Sequence, residues 1–365
     1  MNIKRLYSRA VSGRAVPFVP KLDASRPRRT LLSAAMALVL GSGAAFADVP
    51  MTQVNVSGAE FSENVFPGVE GTHYFFPREG FFANWKRRGV QSVRFPFKWE
   101  RLQPTLGGPL DPVYAKLIDK MLVQAAQANM QVILDVHNYG RYRGKIIGTR
   151  DVTVDHYKNL MSQIARRWSG YSALAGYDLM NEPHDESDAI WPTAAQAGID
   201  AIRAIDKNRP IYVEGRSWAS AERWPNYNND LLKLKDPSNK LIFSAHIYLD
   251  PDGSGNYKNR ISGTWNPDIA VNRVKPFVEW LKRNGKKGHI GEFGIPDNDP
   301  RWLDAAERLQ KYLAQQCMPL TYWSSGPYWG GYFMAVEPIN GQPRPQWTVM
   351  GRFLKEPKCK AIGPT

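Results

Sequence analysis

From Ser92 onward, short apolar runs of four to eight residues alternate with longer stretches whose apolar positions return every three or four residues. Runs of the first kind read as buried strands and those of the second as amphipathic helices, so the alternation predicts parallel βα units. The expected strands are 54–61, 92–97, 131–137, 175–182, 211–214, 241–248, 289–293 and 320–323, eight in all. Asp111-Pro112 predicts the start of a helix through Asn129, and Asp299-Pro300 the start of one through Gln316. In both, the Asp carboxylate caps open N–H groups and proline suits the first turn. A third helical pattern ends near Asn284-Gly285 with Pro276 inside it; either that helix begins after Val271 or it is kinked at the proline.

Eight strands alternating with helices close into a barrel or open into a doubly wound sheet, and periodicity does not separate the two. Polar residues do. Barrel enzymes carry their chemistry at the C-terminal ends of the strands, and here Arg94, His137, Asn138, Asn181, Glu182, His246, Tyr248, Glu292 and Trp323 fall in or at the ends of the second, third, fourth, sixth, seventh and eighth runs. The expected fold is therefore α/β, a single (β/α)8 TIM barrel. No linker, internal repeat or low-complexity block divides residues 48–365, which predicts one catalytic unit without an appended binding module.

The first 47 residues follow a different pattern. Arg26, Arg28 and Arg29 precede the apolar run 31–40, and Ala45-Phe46-Ala47 supplies a small-x-small site before Asp48. This predicts a removable export signal, of the general secretory or the twin-arginine type, and a secreted or periplasmic mature chain. The apolar run is too short to span a bilayer, so no membrane association is expected of the mature form. Eight Lys/Arg and one Asp lie in this segment, so half of the formal charge of +14 belongs to it. The remainder is a mildly basic surface without interleaved arginines and aromatics, which argues against a nucleic-acid partner. Cys317 and Cys359 are the only cysteines; they form a bridge in an oxidising compartment or stand as two thiols.

A carboxylate inside an apolar strand is costly to bury unless it has partners. Glu182 and Glu292, at the ends of the fourth and seventh runs, sit on opposite sides of a barrel mouth. One acid to protonate a leaving oxygen and one carboxylate facing it is what glycoside hydrolysis requires, with a gap of about 5 Å in retaining enzymes. No His, Cys and carboxylate spacing matches a zinc or iron site, so no metal and no cofactor is expected.

The segments Leu179-Met180-Asn181-Glu182-Pro183-His184-Asp185 and Ile290-Gly291-Glu292-Phe293-Gly294 resemble glycoside hydrolase family 5, whose acid/base follows strand four as Asn-Glu-Pro and whose nucleophile ends strand seven. Arg94, His137, Asn138, His246, Tyr248 and Trp323 occur in that family's order. Further stretches, 106–111, 137–142 with 146–148, and 248–250, resemble the branch of bacterial and fungal endo-β-1,4-glucanases. The resemblance implies Glu182 as acid/base and Glu292 as nucleophile. It also implies Arg94 and Tyr248 holding that nucleophile, His246 beside the acid/base, Asn181 at the sugar 2-hydroxyl, and Trp323 beneath the sugar being cleaved. The chain departs from many fungal members in Gly291-Glu292-Phe293-Gly294-Ile295-Pro296, where they carry a threonine-led segment with a glycine run.

Flat sugar faces stack on indole rings, so Trp99, Trp191, Trp218, Trp265 and Trp329, all after strands, are candidate platforms for a β-glucan polysaccharide or oligosaccharide. The alternatives are a family-5 enzyme on β-mannan, β-1,3-glucan or mixed-linkage glucan, and an inactive carbohydrate-binding barrel.

Overall fold

The computed structural model describes residues 48–258, 261, 264–326, 328–354 and 358–364; the expected export segment, 1–47, lies outside them. Eight parallel strands close a barrel in chain order: β1 (Thr52–Val56), β2 (Ser92–Phe97), β3 (Gln131–Val136), β4 (Leu174–Asp178), β5 (Ile211–Glu214), β6 (Leu241–Ile247), β7 (Gly288–Phe293) and β8 (Leu320–Ser325), with β8 beside β1. Around it run α1 (Phe81–Arg87), α2 (Pro112–Gln127), α3 (Val154–Trp168), α4 (Trp191–Arg203), α5 (Ile269–Asn284) and α6 (Pro300–Gln315). After β5 two short pieces, Trp224–Tyr227 and Asn229–Lys233, stand where a long helix would. The strands are covered on both faces, so they read as nearly continuous apolar runs.

Differences from the expected strands lie at their ends and have local causes. β1 begins two residues early because buried Thr52 and Gln53 find polar partners on either face of the strand: the Thr52 hydroxyl donates to the Phe353 carbonyl at 3.2 Å and the Thr321 hydroxyl to Gln53 at 3.3 Å. β4 leaves the ladder at Asp178, four residues before Glu182. The apolar stretch continues, but its amides turn to both neighbours: Leu179 N–H donates to the Tyr212 carbonyl and Asn181 N–H to that of Val136. The segment bearing Glu182 is thus clasped between β3 and β5 without being strand.

Asp111 caps α2 by accepting from Tyr114 N–H at 2.7 Å, and Asp299 caps α6 by accepting from Arg301 N–H at 3.0 Å. α5 starts at Ile269 and continues through Pro276, so the later start is excluded and the Asn272 carbonyl lacks its helical donor. Among the described residues no helix is long and apolar enough to cross a membrane.

The end of the barrel opposite the strand C-termini is closed by side chains and by the chain's tail. Ile133, Tyr212 and Ile242 form a small apolar layer against which Ile362 packs. Cys359 accepts from Val49 N–H at its carbonyl, and Gly363 is bonded to both Cys317 and Gly288. Cys317 and Cys359 form a disulfide across a sequence separation of 42, resolving the two alternatives left by the sequence. Closing a loop of that length removes roughly 3–4 kcal/mol of unfolded-chain entropy. Thermal unfolding of the Cys359→Ser variant is expected to show a loss of about that size, reproduced in the parent protein by reductant and absent when reductant is added to the variant.

Candidate active site

The barrel's register sets a layer of polar side chains near its C-terminal rim. Asn55 is level with Arg94, Asp135 with Asp178, Glu214 with Ser244, and His246 with Glu292. Arg94 lies at the centre of this layer and is fully buried. Its Nε donates to Asp178 at 2.8 Å and Nη1 to Asn55 and Glu292, each at 3.0 Å. Nη2 donates to Asn181 at 2.8 Å and Glu214 at 2.7 Å, with Asp135 at 3.0 Å. Burial opposes its charge, but Asp135, Asp178, Glu214 and Glu292 hold the guanidinium well above its ordinary range.

Glu292 is held at both oxygens, by Arg94 on Oε1 and by the Tyr248 hydroxyl, which donates to Oε2 at 2.8 Å. Glu182 Oε1 is hydrogen-bonded to His246 Nδ1, 2.7 Å away. Burial pushes its carboxyl up to about 7, Glu292 adds to the rise, and the His246 contact works against it. His246 has carboxylates at both ring nitrogens, Glu182 at Nδ1 and Glu214 at Nε2, the latter at 3.0 Å. Burial opposes the charged ring, yet Glu214, Glu292 and Glu182 hold it well above the usual imidazole range. One donor atom each from Glu182, His246 and Glu292 lie within 4.8 Å of one another. These three lie close enough together to surround a cation in distance alone, in an arrangement already joined by the hydrogen bond between His246 Nδ1 and Glu182.

These groups open into a cleft of about 490 Å³. One wall is aromatic and continuous. Trp323 stacks on His137 (5.7 Å between centroids, 17° between planes), His137 meets Tyr139 at 5.4 Å, and Tyr139 meets Trp218 at 6.1 Å. Trp218 is itself backed by His184, stacked at 3.5 Å. Across from this wall lie Tyr248 and the polar turn Asp252, Gly253, Ser254 and Asn256. His137 Nδ1 is 2.7 Å from Asp135, and burial holds the ring neutral, down at about 3.

Arg94, His137, Asn181, Glu182, His246, Tyr248, Glu292, Trp218 and Trp323 are thus brought together as the sequence suggested. Asn138 supports from behind the wall: its carbonyl oxygen accepts from Trp99 N–H and its amide donates to Glu100 at 2.6 Å. Three expected platforms are not in the cleft. Trp99 and Trp191 are wholly buried, the first with its indole N–H on Gln103 and the second with its indole N–H on the Glu214 carbonyl. Trp265 packs edge-on against Trp302. Trp329 is partly exposed, stacked on Tyr332 and 6.2 Å from Trp323, at the margin of the site. The site also holds residues the sequence reading passed over: Glu214, Asp135, Asp178 and Tyr139. Glu214 ends the fifth apolar run, the same signal that singled out Glu182 and Glu292.

A carboxylic acid kept protonated near neutrality, facing a second carboxylate that is hydrogen-bonded at both oxygens, can divide acid and nucleophile roles between them. Similarity to known proteins agrees with this chemistry. The family model described as Cellulase (glycosyl hydrolase family 5) matches residues 51–328. A probable endo-β-1,4-glucanase B of Aspergillus oryzae is 37% identical over 292 residues, 79% of this chain and 85% of its own length. The crystal structure of the Pseudomonas stutzeri endoglucanase Cel5A in complex with cellobiose is 44% identical with a TM-score of 0.84, covering 87% of this chain and 95% of that one. XacCel5A, solved in complex with cellopentaose, is 34% identical with a TM-score of 0.78, covering 83% and 99%.

Burial separates the tryptophans experimentally. Trp99→Ala and Trp191→Ala are expected to lower unfolding free energy by about 3–5 kcal/mol. Trp218, 42% exposed, is expected to cost about 1 kcal/mol or less when replaced by alanine while weakening oligosaccharide binding. Denaturant melts and calorimetric titration with cellotetraose of the same three variants check both halves.

Proposed function

Because the chain belongs to glycosyl hydrolase family 5, we propose that it is a retaining endo-β-1,4-glucanase in which Glu292 is the nucleophile and Glu182 the acid/base. The observation that carries this reading is the pairing of the two carboxylates: oxygens within 4.8 Å, below the gap of about 6.5–9.5 Å that inverting enzymes leave for a water, and in opposite hydrogen-bonding environments.

In the first step a Glu292 oxygen bonds to the anomeric carbon while the bond to the leaving oxygen breaks, and the Glu182 proton passes to that oxygen. In the second step Glu182, now ionised, takes a proton from water as the water oxygen bonds to the same carbon, and Glu292 leaves as carboxylate. Arg94 and Tyr248 fix the attacking group. Because Arg94 occupies the amide oxygen of Asn181, that side chain turns its NH2 toward the sugar 2-hydroxyl, a contact that strengthens as positive charge develops on the ring. Trp323 provides the platform under the sugar at the cleavage point, and His137, neutral and fixed by Asp135, meets a hydroxyl beside it. The glucan substrate is supported by the names of the relatives, by the cellobiose and cellopentaose bound in two of them, and by the aromatic wall.

Residues 1–47 serve in this reading as an export signal, removed to leave a catalytic unit from 48 to 365 that acts in the periplasm or outside the cell. The Cys317–Cys359 bridge supports an oxidising destination.

An endo-acting enzyme lowers the viscosity of carboxymethylcellulose well before reducing ends accumulate; the reverse order, or faster turnover of mannan or β-1,3-glucan, would reject the substrate assignment. Trapping with a 2-deoxy-2-fluoro cellobioside is expected to label Glu292, and a label on any other residue overturns the roles. Glu182→Ala is expected to lose about 10²–10⁴-fold on cellooligosaccharides but far less on a dinitrophenyl cellobioside, whose leaving group needs no proton. The first step requires protonated Glu182, whose carboxyl stands at about 7. Activity on unactivated glucans is therefore expected to be retained below that pH and to fall as pH rises through it, while the dinitrophenyl substrate lacks this limb.

A further inference from the structure

We propose that Glu214 is a positioning residue for the acid/base, acting through two contacts at once: one carboxylate oxygen fixes the backbone N–H of Glu182 and the other sets the ring of His246 that faces the Glu182 side chain. The inference rests on the assignment of Glu182 above and concerns a residue that need not touch substrate.

The first contact is at Glu214 Oε2, which accepts the backbone N–H of Glu182 at 2.7 Å. Glu182 has φ of 44°, a left-handed conformation that costs a residue with a side chain roughly 1–2 kcal/mol. Such a conformation persists where its surroundings over-determine it. The flanking bonds run from Asn181 N–H to Val136 and from Trp218 N–H to the Pro183 carbonyl. The amide of Glu182 itself is held by Glu214. Glu214 is in turn anchored, with its backbone carbonyl accepting from the Trp191 indole at 2.7 Å and its side chain fully buried.

The second contact is at Oε1, shared by Arg94 Nη2 at 2.7 Å and His246 Nε2 at 3.0 Å. The carboxylate of Glu214 therefore faces three donors and no acceptor. Burial works against its charge, but His246 and Arg94 outweigh burial and bring it down to about 2. Of the other ionisable groups around it, Asp135 and Asp178 approach from β3 and β4 through Arg94. His289 sits below on β7, neutral because of burial, and Glu292 lies 3.6 Å from His246 Nδ1.

A permanent anion at Nε2 holds one proton there, and with Glu182 Oε1 at 2.7 Å and Glu292 Oε2 at 3.6 Å from Nδ1 we place the second proton on Nδ1, donating to Glu182 Oε1. The Glu182 proton then belongs on Oε2, for which no hydrogen-bond partner is found among the described residues. A neutral ring tied to Glu214 through Nε2 would instead present a lone pair to Oε1 and draw that proton to the wrong oxygen. The cation also touches the Glu182 carboxylate, whereas the Glu214 side chain reaches only its amide. Losing the cation therefore outweighs losing the more distant anion, and the Glu182 carboxyl should rise further.

The test separates charge from reach. In Glu214→Gln one oxygen can still accept the Glu182 amide, but the charge is gone. The alkaline limb on cellooligosaccharides is expected to move up by about one pH unit, with kcat down about 10–100-fold and KM little changed. Glu214→Asp keeps the charge with a shorter arm, so its alkaline limb should stay in place while kcat falls. ¹⁵N NMR of the His246 ring gives a readout that general damage would not mimic. Both nitrogens should be protonated at pH 7 in the parent protein, and the ring should titrate between about pH 5 and 8 in the glutamine variant. A neutral His246 ring in the parent protein overturns the proposal without any variant, as does an unmoved alkaline limb in a folded Glu214→Gln. Trapping at Glu292 and the leaving-group dependence of Glu182→Ala, measured alongside, show whether the acid/base assignment itself has failed or only the role of Glu214.

Discussion

The interior of this barrel depends on one buried guanidinium. Arg94 contacts Asp135, Asp178, Glu214 and Glu292, and without it four acids from four strands, three of them fully buried, would face one another. Removing one partner of such a cluster leaves uncompensated charge in the interior, which costs several kcal/mol. Lysine could not replace it. A point charge has no planar fork to reach Asp178 through Nε, Asn55 and Glu292 through Nη1, and Asn181 and Glu214 through Nη2. The same residue that makes the acids tolerable therefore fixes their relative positions, and the geometry of the site follows from a requirement of folding.

Within that frame, acids of one chemical type are driven apart by what else they touch. Glu214 meets only donors and ionises readily, down to about 2. Glu182, one strand away, loses solvation and has Glu292 opposite, so it keeps its proton up to about 7. Asp135 is also raised to about 7 by burial, against the pull of Arg94, and spends its second contact on His137. A permanent anion and an acid that exchanges its proton near neutrality thus coexist a few ångströms apart. His246 joins them, taking its charge from one and delivering it to the other.

What the sequence made legible follows the same physics. Strands buried on both faces are continuous apolar runs, so their existence and order were readable, and an acid or arginine inside such a run stands out because burial without partners is so costly. The strand ends were less readable because buried polar residues with internal partners, such as Thr52, Gln53 and Ser325, look like turn residues. Glu214 carried the same signal as Glu182 and Glu292, an acid closing an apolar run, but the chemistry calls for two carboxylates and a third has no reading until its contacts are seen. Trp99, Trp191 and Trp265 lie away from the cleft for a different reason. A position after a strand places a residue near the rim but says nothing of where its side chain points, and Trp99, opening a one-turn helix, turns inward onto Tyr142 and Tyr157.

Those inward tryptophans explain why the outward ones can serve a substrate. Trp191 ties α4 to the Glu214 carbonyl, and Trp99, through its backbone N–H, fixes Asn138, which lies between His137 and Tyr139 in the chain. The cleft wall is thus held from behind through Asn138, and the polar layer through the Glu214 backbone. Side chains locked from behind lose little freedom when a ligand arrives, so ordering them subtracts little from binding. A wall running from Trp323 through His137 and Tyr139 to Trp218 passes beside the paired carboxylates and extends beyond them. Such a surface suits a chain that lies across the site, with the scissile bond in its interior, better than a chain end inserted into a closed pocket. In the proposed enzyme, cleavage of internal bonds follows from packing: the core fixes a continuous aromatic wall, and the charged layer fixes the point along it where the bond breaks.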